Sequence, residues 1–538
     1  MWGDVDKEKK WVIKFAAVIL FITLVPYWTG FSRQGQDWVF TGFVFGVEDG
    51  NSYIAKMLSG ANGSWLFRTP FTAYPQDGAF AFFPYLLLGK AASQPGVHTQ
   101  LVVLFHLFRL LSGFLVILAS YEFISIFIKD ISLRRLGTAI VTLGGGLGWL
   151  SVVGLDWLWR DGLPLEFYSP ETFGFLALLG LPHLTMARAL LLWGLRAVLR
   201  TTSGESAWKP AVKAGFCWLA LGLFQPLTVV VGWVVFGVYQ VAMLLEQILF
   251  RKNELDLKHK TTVLMPMMIV IGISAPIPIY SFFAFSTDPF LKQWTEQNLI
   301  LSPPVWEYLL AFGLMLPLAI MGIREIINNK WSKAYLVACW VVIFPFLAYA
   351  PYNLQRRLPE GVWVALVVLV FIFLESVKNQ NLLKWLRRTL YLSFITTLFV
   401  FLGAVIAVWK PDYPLYRQEN QVQMFKFIDG IAEDGDVVLA AYGTSNALPA
   451  WAPVRTLIGH GPESINLEVA NEQVKEFYAT ESDTAFRENL IEEFGIRYVV
   501  WGPEEKSLGK RDLDQDHLLE KIYQMNGYSV FAVKSAER

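Results

Sequence analysis

The sequence predicts a mainly α fold, a polytopic membrane helix bundle of about eleven spans that ends in a small α/β domain. Three observations lead there. The chain of 538 residues is 54% hydrophobic and 15% aromatic with zero formal net charge. That is too apolar for a soluble enzyme, and the balanced charge offers no footprint for a nucleic-acid partner. Apolar runs of membrane-crossing length recur through the first three quarters of the chain. From about Lys410 those runs shorten to strand length and alternate with charged amphipathic segments.

The N-terminal stretch pairs a charged start with an apolar run and has no small-residue cleavage site, which predicts a retained first span. Further runs follow at 98–128, 136–153, 172–199, 211–225, 226–249, 262–285, 304–323, 334–350, 361–374 and 389–409. Alternate connections are rich in Lys and Arg: Lys129 with Arg134 and Arg135, then 196–213, 251–260, 324–333 and 378–388. The positive-inside bias therefore puts the N-terminus in the cytoplasm, and an odd number of spans puts the C-terminus outside. The expected organisation is a transmembrane domain at 1–409 with a first outer loop at 31–97, then an extracytoplasmic α/β domain at 410–538. The whole is a multi-pass protein of the cell membrane.

Within 410–538 the patterning predicts a helix at 418–433, strands at 436–441 and 455–458, and helices at Leu467–Tyr478 and Thr484–Phe494. A strand at 497–501, a helix at 516–525 and a strand at Tyr528–Val533 complete it. No G-x-G-x-x-G follows a strand and nothing resembles a phosphate loop, so a soluble nucleotide sugar is not supported by motif. The two cysteines, Cys217 and Cys339, fall inside apolar runs and offer neither a disulfide framework nor a metal-type cluster.

Candidate chemistry lies in the outer loops. Glu48 and Asp49 sit among apolar and aromatic residues, where carboxylates are costly. Either can serve as a general base toward a hydroxyl acceptor, and Asp49 can equally cap a helix beginning near Ser52. The 156–171 loop carries Trp157, Trp159, Arg160, Asp161, Glu166 and Glu171, a set suited to stacking on a sugar or to an interfacial belt. His183, following Pro182 at a helix start, is a proton shuttle, metal ligand, phosphate donor or structural residue. Gln297 and Asn298, after Trp294, suit a hydroxyl-rich ligand or bond their own loop. The 352–361 loop holds Gln355, Arg356 and Arg357. Two outer arginines run against the positive-inside bias, and a guanidinium fork matches phosphate oxygens; a lipid headgroup or Glu360 is the other partner available.

The acidic residue after span one, the strings Ser52-Tyr53-Ile54-Ala55-Lys56-Met57, Gly63-Ser64-Trp65-Leu66 and Pro70-Phe71-Thr72, the stretch from Trp294 to Pro304, the Gln355-Arg356-Arg357 loop and Ile458-Gly459-His460-Gly461 together resemble the multi-spanning glycosyltransferases of the C superfamily, in an uncharacterised bacterial branch. The resemblance implies a GT-C-like bundle in which an enzyme moves a sugar, hexose or pentose, from a polyprenyl-phosphate-linked donor onto a glycan, lipid or protein acceptor. It makes Asp49, or Glu48, the catalytic acid of the first loop. It gives Arg356, Arg357 and His183 the donor phosphate, and Asp37, Trp294, Gln297, Asn298 and Gln355 the substrate. Members often set their acid nearer the first span, a spacing that Asp37 fits. Some use a divalent metal and others none, so metal dependence stays open. Rival readings are a transporter or flippase of lipid-linked saccharides and a non-catalytic subunit of envelope glycan assembly; mid-membrane charges and internal repeats, the marks of a transporter, are not evident.

Overall fold

The computed structural model describes residues 2–160, 162–201, 208–250 and 257–534; Asp161 and parts of the basic loops at 196–213 and 251–260 lie outside the described residues. The fold is mainly helical. Among the described residues, five helices are long and apolar enough to cross a membrane: Asp6–Arg33, Val97–Ile124, Pro226–Glu246, Gln355–Ser376 and Gln380–Ala407. Two further pairs, Met265–Ser274 with Pro276–Thr287 and Val305–Phe312 with Leu316–Asn328, bend by 52° and 79° at their breaks. Proline stands at or just after each break, as Pro276 and Pro317, where it removes a ladder hydrogen bond. The apolar run at 136–153 is interrupted in the same local way, because the helix Ile131–Leu143 ends at three successive glycines beginning with Gly144. The Gln225-Pro226 junction separates the helices Trp208–Phe224 and Pro226–Phe250.

One compact unit comprises Met1–Val25, Phe108–Phe282 and Leu299–Gly403. Its centre is the helix Val362–Ser376, whose residues from Val362 to Phe371 are all at most 1% exposed. A helix that is apolar all round has to be surrounded, and the helices Leu316–Asn328, Tyr335–Ala348 and Ile131–Leu143 pack on it.

The second unit comprises Pro26–Leu107, Phe283–Asn298 and Ala404–Arg538. The short strands β1 (Trp38–Phe40) and β2 (Tyr416–Gln418) pair antiparallel. The Tyr416 hydroxyl donates to the carbonyls of Val408 and Gly30, at 2.6 and 3.1 Å. A five-stranded sheet follows, made of β3 (Val437–Leu439), β4 (Arg455–Thr456), β5 (Ile496–Trp501), β6 (Leu519–Met525) and β7 (Tyr528–Val533) in the order β4-β3-β5-β7-β6. β3 runs parallel to β4 and β5, while β7 is antiparallel to β5 and β6.

Strand alternation sorts the side chains onto two faces. Val437, Leu439, Val499 and Phe531 pack under the helices Leu467–Tyr478 and Thr484–Phe494. Val438, Tyr498, Val500 and Val530 pack on Met424, Phe425 and Ile428 of the helix Glu419–Ile431. The helix expected at 516–525 is instead strand β6. Asn526 and Gly527 both take positive φ, 42° and 89°, and close a two-residue hairpin onto β7.

Elsewhere in this unit the helices Val47–Ala61 and Phe83–Gly89 cross at glycines. A Cβ on Gly60 would lie 2.0 Å from the Leu86 carbonyl oxygen, and one on Gly89 would lie 1.8 Å from that of Met57. Gly60→Ala therefore forces the two backbones apart, an overpacking cost of about 1–3 kcal/mol. Gly430→Ala, on a helix with nothing within 4 Å of the new methyl, serves as the matched control. Thermal unfolding of the purified protein should show a lower midpoint for the first variant and an unchanged or slightly raised one for the second.

Candidate active site

The first turn of the helix Val47–Ala61 carries Glu48 and Asp49, and its cap is Gly46 in the left-handed region. Asp49 is thus a first-turn residue, which removes the capping alternative. Its carboxylate still faces the N–H groups and positive dipole end of the helix. The Asp49 side chain is 57% exposed, and His460 Nε2 lies 3.2 Å from its Oδ1. Since a carboxylate only accepts, the imidazole must carry its proton on Nε2 in this contact. Phe71 stacks on the imidazole, centroid to centroid at 5.6 Å.

A tight turn presents His460. Gly459 has a φ of 154°, and a Cβ there would come within 2.8 Å of the Ser445 backbone, so only glycine fits. The N–H groups of Gly459 and His460 both donate to Ser464 Oγ, which donates in turn to the His460 carbonyl. Three residues after His460, Glu463 is buried with Lys56, the two side chains 3% and 1% exposed, and their Nζ and Oε1 atoms 2.6 Å apart. Ser52 Oγ and Thr69 Oγ1 also donate to this carboxylate, at 2.9 and 2.7 Å, and Lys56 also donates to Ser52. The Lys56 ammonium sits over the Phe82 ring at 4.4 Å. Burial by itself would raise the Glu463 carboxyl, but Lys56 foremost, with His460 and Thr69, holds it below the usual carboxylate range.

Other expected residues of this unit have smaller parts. The Tyr442 hydroxyl donates to Glu48 at 3.2 Å, and burial with that carboxylate pushes the phenol above its usual range. The Gln297 amide donates to the Ser464 carbonyl at 2.9 Å, buttressing the His460 turn. Trp294 is packed among Phe67, Phe82, Phe285 and Phe290. Asn298 closes the helix Pro289–Gln297, its N–H on the Trp294 carbonyl. Asp37 is exposed, and its carbonyl accepts from the Glu419 N–H.

The other unit holds the remaining candidates. The Arg356 guanidinium lies over the Tyr168 ring at 4.8 Å, and its Nε is buried with no hydrogen-bond partner. Arg357 Nε lies 3.7 Å from Glu171. Glu360, the nearby carboxylate considered for these arginines, is taken instead by Arg188 at 2.6 Å, both buried. Arg188 also donates to the carbonyls of Pro170 and Glu171. Gln355 Oε1 accepts from the Ser302 N–H, and His183 is half-buried in the first turn of the helix Pro182–Thr201. Glu166 is fully buried and accepts from the Gly148 N–H at 2.8 Å. Burial pushes its carboxyl up to about 7, against the pull of the backbone N–H groups and with help from Glu307.

Sequence reasoning missed Lys56 and Glu463. Their types are ordinary for a helix face and a loop, and a pairing across some four hundred residues leaves no local trace. Among the described residues no group of three or more His, Cys, Asp or Glu side chains is arranged to hold a metal ion.

No protein-family model matches the chain, and no curated protein matches it in sequence. Solved structures do. The oligosaccharyltransferase of Archaeoglobus fulgidus tethered with an acceptor peptide is similar at a TM-score of 0.54 and 12% identity, over 91% of this chain and 69% of that one. The same organism's AglB, in complex with an inhibitory peptide and a dolichol-phosphate, is similar at 0.51 and 11% identity, with the same coverage. ArnT from Cupriavidus metallidurans bound to undecaprenyl phosphate is similar at 0.51 and 14% identity, over 97% of this chain and 98% of that one. These are GT-C glycosyltransferases, and the chain has their membrane-protein fold.

Two outcomes follow for stability. Lys56→Met leaves a buried carboxylate alone and costs about 3–5 kcal/mol, whereas the double change Lys56→Met with Glu463→Leu costs less than the sum of its singles. Chemical denaturation of the four proteins of that cycle measures it. Because the folded Glu463 value is lowered, its contribution is present at neutral pH and lost as pH falls through that value. Glu166 behaves oppositely. Between its ordinary value of 4.5 and about 7 the folded group keeps a proton that the unfolded group has lost, so stability declines as pH rises across that window. Glu166→Gln keeps an oxygen for the Gly148 N–H and should flatten that slope in unfolding curves taken from pH 5 to pH 8.

Proposed function

We propose that the protein is a membrane glycosyltransferase that moves a sugar from a polyprenyl-phosphate-linked donor onto an extracytoplasmic acceptor, whether an envelope glycan, a lipid or a protein. The fold supports the class, since two of the similar structures carry dolichol-phosphate or undecaprenyl phosphate. The observation that carries the chemistry is Asp49, a carboxylate more than half exposed yet held in direction by His460. Accessibility and fixed orientation together are what a general base needs.

In the proposed step the acceptor hydroxyl gives its proton to Asp49 as its oxygen bonds to the anomeric carbon. The bond from that carbon to the phosphate oxygen breaks, and the electron pair leaves with the polyprenyl phosphate. The negative charge that develops on the leaving phosphate is of the kind a guanidinium stabilises. Of the two arginines assigned to the donor phosphate Arg356 suits this better: the Nε of each has no hydrogen-bond partner, but that of Arg357 already lies 3.7 Å from a carboxylate, Glu171. His183 and Gln355 are assigned to the donor, with Asp37, Trp294, Gln297 and Asn298 on the substrate side. Of these, Gln297 acts by bracing the His460 turn.

The membrane arrangement is part of the proposal. About eleven apolar runs with basic alternate loops support a cytoplasmic N-terminus and an extracytoplasmic domain from 410 to 538. A polyprenyl donor cannot leave the bilayer, so its phosphate reacts at the membrane surface.

The test is release of polyprenyl phosphate from a polyprenyl-phosphate sugar by purified variants. Asp49→Asn should fold normally and lose about two to four orders of magnitude in turnover, the usual worth of a positioned base. Glu48→Gln should stay near wild type, and His460→Gln should fall between the two. Arg356→Ala should raise the donor KM more than Arg357→Ala. Wild-type turnover by Asp49→Asn overturns the assignment.

A further inference from the structure

A cavity lies in the unit that holds Asp49, with a volume of about 420 Å³. That is within the range of small-ligand sites. Arg68, Arg455, Asp434, Asn62, Ser64 and Thr69 line it, interleaved with proline and aliphatic side chains and with no aromatic ring.

The two arginines set it apart. Arg417, Arg487, Arg497 and Arg511 of the same unit each face a carboxylate within 4 Å. Arg68 and Arg455 form no such pair among the described residues. Their recorded hydrogen bonds go to backbone carbonyls, from Arg68 to Gln76 at 3.4 Å and from Arg455 to Gly435 at 3.0 Å and Ala73 at 3.4 Å. Two guanidinium groups against the single carboxylate of Asp434 leave the lining net positive. A guanidinium whose contacts are only to carbonyls still has fork nitrogens suited to an anion.

The rest of the lining narrows the ligand. With no ring to stack on, a nucleobase gains little here. Hydroxyl and amide side chains offer both donors and acceptors, and the flat apolar faces of Pro70, Pro75 and Pro453 suit the C–H face of a saturated ring. We infer that this cavity binds an anionic saccharide, a polyhydroxylated ring carrying a carboxylate or a phosphate.

Its place beside the candidate site is defined by one helix and one threonine. Ala55, Leu58, Ser59 and Asn62 line the cavity about a quarter turn round the helix Val47–Ala61 from Asp49, Ser52 and Lys56. Along the helix axis the lining runs from Ala55, roughly 9 Å from Asp49, to Asn62, roughly 20 Å from it, at 1.5 Å per residue. Thr69 belongs to both places. The Gln76 amide brackets its backbone at the cavity wall, at 2.8 and 2.7 Å, and its hydroxyl donates to Glu463. A saccharide in the cavity is therefore too far from Asp49 to react, and on the transferase reading, on which this step alone rests, it is a remote unit of an extended acceptor.

Calorimetric titration of the full-length protein in detergent tests the binding without requiring turnover. The probes are glucuronate, glucose 6-phosphate, glucose and inorganic phosphate. The charged sugars should bind at least about tenfold more tightly than glucose or phosphate, and the better of the two names the anion. Arg68→Glu, at an exposed position, and Arg455→Ala should each weaken that binding by about tenfold or more. Asp49→Asn should leave it unchanged, so a failed transferase reading and a failed cavity reading are told apart. Glucose binding as tightly as the charged sugars overturns the inference. So does phosphate binding as tightly as the sugars, which marks an anion site only. Indifference to both arginine variants overturns it as well, as does the absence of saturable binding up to about 10 mM.

Discussion

The Lys56–Glu463 pair is the constraint on which the candidate site depends. Neither charge is reachable by water, and a lone buried ammonium or carboxylate is expensive enough that the chain has to bring the two together. Ser52 and Thr69 complete the carboxylate's shell, and the Phe82 and Phe67 rings lie 4.4 and 5.3 Å from the ammonium. The net stabilisation from such a pair is modest, because desolvation offsets most of the attraction. Its value lies in register. Once Glu463 is fixed on the helix Val47–Ala61 by Lys56, the turn that begins at Gly459 is placed, and His460 is delivered to Asp49 about two helical turns away.

The arginines of the other unit divide by what they are already bonded to. Arg188 is spent: it spans Glu360 and two carbonyls and ties the Pro170–Glu171 corner to the start of the helix Val362–Ser376. Arg109, fully buried, donates to Thr23 and to the Leu178 carbonyl, tying the helix Val97–Ile124 to the helices Trp2–Arg33 and Gly174–Gly180. Arg356 differs. It rests on an aromatic face and its Nε carries an unused donor. In the second unit the division is between guanidinium groups matched to carboxylates and those matched only to carbonyls, which separates Arg487 with Asp516 from Arg68 and Arg455.

How much of this was legible in the sequence depends on the range of the interaction that carries it. Leu467–Tyr478 and Thr484–Phe494 have helical periodicity, and Tyr528–Val533 has alternation; each is a local pattern and each element has the expected bounds. β6 was misread because Glu520, Lys521 and Gln524 are good helix formers, yet its pairing is set by the Asn526-Gly527 turn, a stronger signal than propensity. Of the two readings open for Asp49, the cap rests on Ser52 as the helix start; Gly46 starts the helix three residues before Asp49, in a conformation no side-chain pattern announces. The partners of the first-loop carboxylate were not legible at all. His460 lies in the segment Ile458-Gly459-His460-Gly461, and nothing in that segment points to residue 49.

The preference for Asp49 over its neighbour follows from what holds each carboxylate. Glu48 has three rotatable bonds and accepts from the Tyr442 hydroxyl, itself a poor acid when buried, so its oxygens are placed by a single neutral donor. Asp49, in the same first turn, has two rotatable bonds and an imidazole whose own position is fixed by the Gly459–Ser464 turn. In proton transfer the direction of the accepting oxygen matters as much as its basicity, since a displacement of about 1 Å from the productive geometry can cost a hundredfold. The chain from Lys56 through Glu463 to His460 supplies that direction, which makes His460 a positioning residue for the base. On this account the loss of either buried charge reaches Asp49 indirectly, by releasing the turn that aims the imidazole.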